Sequence, residues 1–302
     1  APRFLDGEIT LEKGGINIIM GRNKTLALTL MYNLINDEVL DAQYHANTLL
    51  DSRDFNAEMS VSVEHGVTKI LMCNKLETTE AVCDINNNGV GLEAIYFPTN
   101  IIALSKIVLP VFGEARWGRL LDLLHDALNN KEGEYRIQFD KKIVPERLVV
   151  EDGEIYVEKN DSILKYYLVS DSTFKIAILS TLMEKGLLGD PKETLLLFDE
   201  YEAGMHPSEM LKYVYLLLLL ARAGYTVVVA TDQLDLSMML TSPNGVLRML
   251  GISDIKITKL PTLHVIFEDG RIEEYSAVSS AIPTYTSVYL DVLKKEDVFV
   301  EK

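Results

Sequence analysis

Leu195-Leu196-Leu197-Phe198 is an apolar run that stops at two adjacent carboxylates, Asp199 and Glu200. Apolar residues in unbroken succession fit a strand buried on both faces of a parallel sheet, and so predict an α/β fold. Two acids at the carboxyl end of such a strand are costly to hold unless they bind a metal or activate water. Nucleotide hydrolases need that arrangement, with one acid organising Mg²⁺ and the next polarising the attacking water. The competing reading is a buried strand that simply ends in an acidic loop.

A second motif lies near the start. Gly15-Ile16-Asn17-Ile18-Ile19-Met20 reads as another buried strand, followed by Gly21-Arg22-Asn23-Lys24-Thr25 and a helical pattern from Leu26 to Leu34. Strand, glycine turn, Lys-Thr and helix is the layout of a phosphate loop, in which backbone N–H groups and the lysine hold phosphate and the hydroxyl holds Mg²⁺. The full pattern is G-x-x-x-x-G-K-[ST]. Here only Arg22 and Asn23 separate Gly21 from Lys24, and the second glycine is missing. A loop this short cannot follow the usual path around a β-phosphate.

The residues after the acid pair carry a resemblance. Asp199-Glu200-Tyr201-Glu202-Ala203-Gly204-Met205-His206-Pro207 resembles the Asp-Glu-Pro-Glu-x-x-Leu-His-Pro block of ABC-type ATPases, in the OLD, RecF and Rad50/SMC-head branch. Tyr201 stands where proline is usual. The resemblance implies an ABC-ATPase-like P-loop core, a mixed sheet flanked by helices, with a helical lobe. It implies Asp199 as the metal-organising acid and Glu200 as the catalytic base. Gly21, Arg22, Asn23 and Lys24 would bind nucleotide, with Thr25 binding both nucleotide and metal, and the cofactors would be ATP and Mg²⁺. Family members bind ATP between head-to-tail subunits. A homodimer, or a heterodimer with a motif-complete ATPase subunit, is therefore implied.

Two further blocks fit this layout and depart from it. Tyr167-Leu168-Val169-Ser170-Asp171-Ser172-Thr173 precedes a helical pattern, where the family places its signature. Ser170 and Ser172 match the hydroxyls presented to the γ-phosphate of the opposite subunit, but Asp171 stands where glycine is usual. The bland reading is that Ser172 or Asp171 caps a helix. Tyr225 to Ala230 is another buried strand pattern, ending in Thr231-Asp232-Gln233. The resemblance puts a phosphate-sensing histidine at position 232. An ionised aspartate cannot donate a hydrogen bond and cannot replace it. Asp232 stays among the nucleotide-binding candidates by position; the alternative is a structural contact to Lys24 or Arg22 that occupies the site electrostatically.

These departures define the alternative: a degenerate pseudo-ATPase kept as a protein-binding or regulatory module. DNA maintenance, repair and defence all agree with the branch. The net charge of −16 opposes nucleic acid binding on average. Arg116, Arg119, Lys141, Lys142 and Arg147 could make a local basic patch, but more simply balance acids such as Glu114, Asp122 and Glu146.

The coarse layout has three parts: residues 1–99 as the first part of the core with antiparallel strands, 100–185 as the lobe, and 186–302 as the rest of the core. Hairpin strands are expected around His65-Gly66, Glu151-Asp152-Gly153 and Glu268-Asp269-Gly270, with a turn at Asn86-Asn87-Asn88-Gly89. Residues 100–145 read as mostly helical, most strongly from Arg116 to Leu128, and a final helix is expected near Val288 to Lys294. The lobe is too short for a DNA-tethering coiled coil. Tyr213 to Ala221 reads as a buried helix with Ser208 able to cap it, and His206 as packing against it. Cys73 and Cys83, without neighbouring histidine, read as core thiols on adjacent strands, with a disulfide between them as the alternative, rather than as metal ligands. No run of 18 or more uncharged apolar residues and no secretory pattern is present. A cytoplasmic protein with no membrane span is the expectation.

Overall fold

The structure, a computed structural model, describes residues 8–21, 23–37, 55–63, 67–75, 82–87, 91–99, 118–160, 162–253, 255, 257, 259–267 and 270–275. Its centre is a six-stranded sheet in the order β12-β11-β1-β10-β9-β5. The members are β1 (Ile16–Gly21), β5 (Glu93–Phe97), β9 (Thr194–Asp199), β10 (Thr226–Ala230), β11 (Thr262–Ile266) and β12 (Ile272–Tyr275). Neighbours are parallel except at the β11–β12 edge, so the sheet is mixed.

Each central strand is apolar on both sides because each side meets helices. Ile16, Ile18 and Met20 of β1 join Leu196 and Phe198 of β9 on one face. Ile19 joins Ala94, Tyr96, Leu195, Leu197 and Val228 on the other. That second face is covered by α1 (Lys24–Asn36) through Ala27, Leu28, Met31, Tyr32 and Ile35. The first face is covered by α3 (Asp171–Lys185) and α4 (Pro207–Arg222). The period-2 strands and two helical layers make this a three-layer α/β core. The helix from Tyr213 is buried almost all round, as its composition predicts.

Two smaller sheets flank this core. β2 (Phe55–Val63), β3 (Val67–Lys75) and β4 (Val82–Asn87) form an antiparallel meander, and Cys73 lies opposite Cys83 in its register. The cysteines therefore do fall on adjacent strands. Asn86 and Asn87 end β4, while Asn88 and Gly89 lie outside the described residues. β6 (Arg147–Glu151), β7 (Glu154–Lys159) and β8 (Ser162–Lys165) form the other sheet. It is tied to α3 by Leu148, whose N–H donates to Thr181 Oγ1 at 2.8 Å, and by Ser180, which donates to the Glu146 carbonyl.

Three expectations need correction. Of the segment 100–145, residues 100–117 lie outside the described residues, α2 (Gly118–Leu128) bears out the helix expected up to Leu128, and residues 129–146 form turns and irregular segments instead of helix. Their backbone is spent on tertiary partners: the N–H groups of Gly133 and Ile137 donate to the carbonyls of Lys185 and Met183. Ser170, not Ser172 or Asp171, caps α3, accepting from the Thr173 N–H. Position 170 is the one with extended backbone, which an N-cap requires. His206, rather than Ser208, caps α4, with Pro207 in the first turn and Glu209 closing a capping box. Two short helices follow β10, α5 (Leu234–Thr241) and α6 (Pro243–Met249). The helix expected near Val288 lies outside the described residues.

Candidate functional site

Parallel strands put their carboxyl ends on one edge of a sheet, where open α/β folds place ligands. Here β1 lies beside β10, and β10 beside β9. Gly21 to Thr25, Asp232 and Asp199-Glu200 therefore converge, although they are spread over more than half the chain. Of the expected phosphate-loop residues, Arg22 lies outside the described residues.

The turn out of β1 is tight. Gly21 has φ 99°, and a Cβ there would stand 2.1 Å from the Ile266 carbonyl oxygen. Asn23 takes the left-handed conformation at φ 60°, which asparagine tolerates better than most residues, and α1 begins at once with Lys24. Gly21→Ala is expected to destabilise the protein by at least about 1–3 kcal/mol, since both the backbone conformation and a backbone atom oppose the methyl group. Thermal unfolding of the variant checks this, and an unchanged midpoint would mean that the turn is not held as described.

Lys24 is buried, and its ammonium is taken up by two carboxylates. It forms an ion pair with Glu200 Oε1 at 2.7 Å and donates to Asp232 Oδ2. Asp232 Oδ1 accepts from the Gly21 N–H at 3.2 Å. Burial alone would lower the Lys24 pKa, but the hydrogen bonds to Asp232 and Glu200 outweigh it and raise it above the ordinary lysine value. Lys24 is therefore charged throughout the neutral range. The stabilisation from its pairing is complete below the ordinary lysine pKa and is lost only as pH rises through the higher folded value. Of the alternatives for Asp232, the contact to Lys24 is present.

Glu200 itself sits at φ 45°, left-handed and unusual for glutamate, while its N–H donates to the Ala230 carbonyl. Such backbone strain collects at functional or tightly constrained positions. Asp199 is engaged through both carboxylate oxygens: Oδ1 accepts from Thr25 Oγ1 at 2.8 Å, and Oδ2 from the Tyr96 hydroxyl at 2.6 Å. The Thr99 hydroxyl donates to the Asp199 carbonyl. Tyr96 and Thr99 escaped the sequence reading. Strand alternation at Ile95-Tyr96-Phe97 could have given Tyr96 a face, but not its partner.

Behind the edge, Glu202 is buried, and its Oε1 accepts from Thr231 Oγ1. Desolvation by burial pushes its pKa up to about 7. Lys175 is fully buried, pairs with Asp171 at 3.0 Å, donates to the Ala203 carbonyl and lies over the Tyr201 ring.

The signature-like residues lie elsewhere, at the start of α3. Ser172 is buried and donates to Glu209, which also accepts from Thr173 Oγ1 at 3.0 Å. Ser170 caps the helix and donates to Thr173 Oγ1 at 2.8 Å. Within one chain these hydroxyls join α3 to α4 and are separate from the Lys24 cluster. Three members of the expected basic patch are paired, but with other acids than Asp122 and Glu146: Arg119 with Glu93, Lys141 with Glu184 and Arg147 with Glu158. Arg116 and Glu114 lie outside the described residues.

The donor set can be tested against Mg²⁺ and phosphate. Thr25 and Asp199 supply oxygen ligands of the right type for Mg²⁺. The phosphate cradle fits less well, because its lysine and its glycine N–H already hold a carboxylate. The described residues of the loop therefore do not fit a bound triphosphate in this arrangement. Among the described residues no group of three or more His, Cys, Asp or Glu side chains could hold a metal ion, and no helix is long and apolar enough to cross a membrane.

No protein-family model and no curated protein matches this sequence. Solved structures do resemble it. An SMC head bound to the C-winged helix domain of ScpA aligns over 92% of this chain and 96% of that one, with TM-score 0.53 and 11% identity. An Smc head domain with an extended coiled coil, bound to the C-terminal domain of ScpA derived from Pyrococcus furiosus, aligns over 93% and 94%, with TM-score 0.50 and 10% identity. An ATP-binding cassette of an ABC transporter in its ADP conformation aligns over 90% and 84%, with TM-score 0.41 and 15% identity. The fold is the mixed α/β fold of SMC heads.

Proposed function

We propose that this chain is a pseudo-ATPase: an SMC-head-like module whose nucleotide site is closed by its own side chains and which works by binding protein. One observation carries the reading. Lys24, the only cation of the phosphate loop within the described residues, is engaged by Asp232 and Glu200 together. Two carboxylates beside one ammonium leave the site net negative, and a polyphosphate would be repelled. The shortened loop and the internal bonding of Ser172 support the same conclusion. The partner would be a second copy or a motif-complete ATPase subunit. Tyr167 and Leu168, 62% and 64% exposed beside the signature-like residues, give such a partner an apolar surface to cover.

The second reading is an active ATPase of the same fold, in DNA maintenance, repair or defence. Its support is the contact between Thr25 and Asp199, with Glu200 at the next position. Under that reading Thr25 and Asp199 would hold Mg²⁺ and Glu200 would act as base. Titration calorimetry with Mg-ATP separates the two. The expected result is no binding heat at millimolar ATP. Micromolar binding that Lys24→Ala abolishes would overturn the pseudo-ATPase reading and restore the other.

A further inference from the structure

We infer that Asp232 is a built-in anion, a specificity-determining residue that excludes phosphate-type oxyanions from a cradle otherwise able to hold one. The inference rests on the pseudo-ATPase reading and explains how the site is closed. The two oxygens of this carboxylate accept from the Gly21 N–H and the Lys24 ammonium. A backbone N–H at the end of a strand and a lysine at a helix start are donors that a phosphate oxyanion can recruit. Asp232 thus satisfies the cradle in the way a ligand would, from within the chain.

The position of Asp232 is imposed from behind. The Thr231 N–H donates to the Ile19 carbonyl at 3.0 Å, which anchors the loop to β1. The Thr231 hydroxyl donates to buried Glu202, and it accepts from the Gln233 N–H at 2.9 Å. The residues on both sides of Asp232 are therefore fixed, so the carboxylate is delivered to the cradle by the end of β10. The Asp232 side chain itself is 55% exposed, whereas that of Lys24 is 9% exposed. Removing the carboxylate takes away no core packing. Lys24 keeps Glu200 as a partner, so the fold should survive the change while the cradle gains an open position.

The test uses the full chain with Asp232→Ala and Asp232→Asn, titrated with sodium pyrophosphate and with Mg-ATP. The double variant Lys24→Met with Asp232→Ala is the control. Asp232→Ala is expected to bind pyrophosphate at least about tenfold more tightly than the wild type, a change of about 1.4 kcal/mol. The double variant is expected to lose that gain. Asp232→Asn keeps the shape without the charge and should show a smaller gain of the same kind. If both single variants melt cooperatively yet bind no more tightly than the wild type, the inference fails and the pseudo-ATPase reading stands. A gain that persists in the double variant also overturns the inference, because the anion would then be held elsewhere. Tight Mg-ATP binding by the wild type overturns the pseudo-ATPase reading, and this inference with it. Loss of folding in both single variants would make Asp232 a structural residue and would equally sink the proposal.

Discussion

Replacing Phe198 by alanine is expected to lower the unfolding free energy by about 3–5 kcal/mol, the usual loss when a buried aromatic ring becomes a cavity. Phe198 is fully buried at the end of β9, one residue before Asp199. It stacks on Phe97 with ring centroids 4.5 Å apart, and it meets Tyr201 and Tyr213 edge-on at 5.6 and 5.9 Å. Aromatic pairs of this geometry add about 0.5–1.5 kcal/mol beyond their buried area. The neighbours cannot close the gap easily. Phe97 belongs to the sheet, and the Tyr201 hydroxyl is held to the Lys175 carbonyl at 2.8 Å. For a domain of ordinary stability, about 5–15 kcal/mol in all, this is a large fraction. Urea unfolding of the wild type and Phe198→Ala measures it. A loss under about 1 kcal/mol would show that this aromatic cluster does not brace the end of β9.

Glu202→Gln is expected to act in the opposite sense, and only above mildly acidic pH. The Glu202 carboxyl has an ordinary value of 4.5 and is pushed up to about 7, chiefly by desolvation. Its other neighbours have smaller effects. The Thr231 hydrogen bond and Lys175 lower it, and Glu200 raises it. A folded pKa above the unfolded one means that the folded state binds the proton more tightly. The contribution is then complete below about pH 4.5 and is lost as pH rises through about 7. At about 1.4 kcal/mol per tenfold change in equilibrium, the loss amounts to roughly 3 kcal/mol. Glutamine can still accept from Thr231 through its amide oxygen and carries no charge. The variant should match the wild type near pH 5 and exceed it by roughly 1–3 kcal/mol near pH 8. Unfolding measured across that range checks the claim, and parallel profiles for the two proteins would contradict it.

Much of the core was legible because its signals are local. An apolar run predicts a doubly buried strand, and β9, β10 and β1, the last interrupted only by Asn17, all read that way. Glycine and polar clusters placed the turns of the hairpins at β2–β3 and β6–β7. The segment 129–146 misled because its chemistry is not periodic. Its order comes from backbone bonds to the end of α3, which no window of sequence contains. Helix caps misled for a smaller reason. Ser170, Asp171 and Ser172 can all cap, and only the backbone angle at 170 selects among them.

The sequence by itself determined the strands β1, β9 and β10, the acid pair at the end of a buried strand and the shortened Lys-Thr loop, because each is a property of neighbouring residues. Tertiary structure alone decided what those residues meet. Lys24 and Asp232 are 208 positions apart, and Tyr96 and Asp199 are 103 apart. Each pair meets because strand order places the carboxyl ends of β1, β10, β9 and β5 side by side. The same residues in another strand order would not bring Asp232 to Lys24. In this order, β10 brings a carboxylate to it.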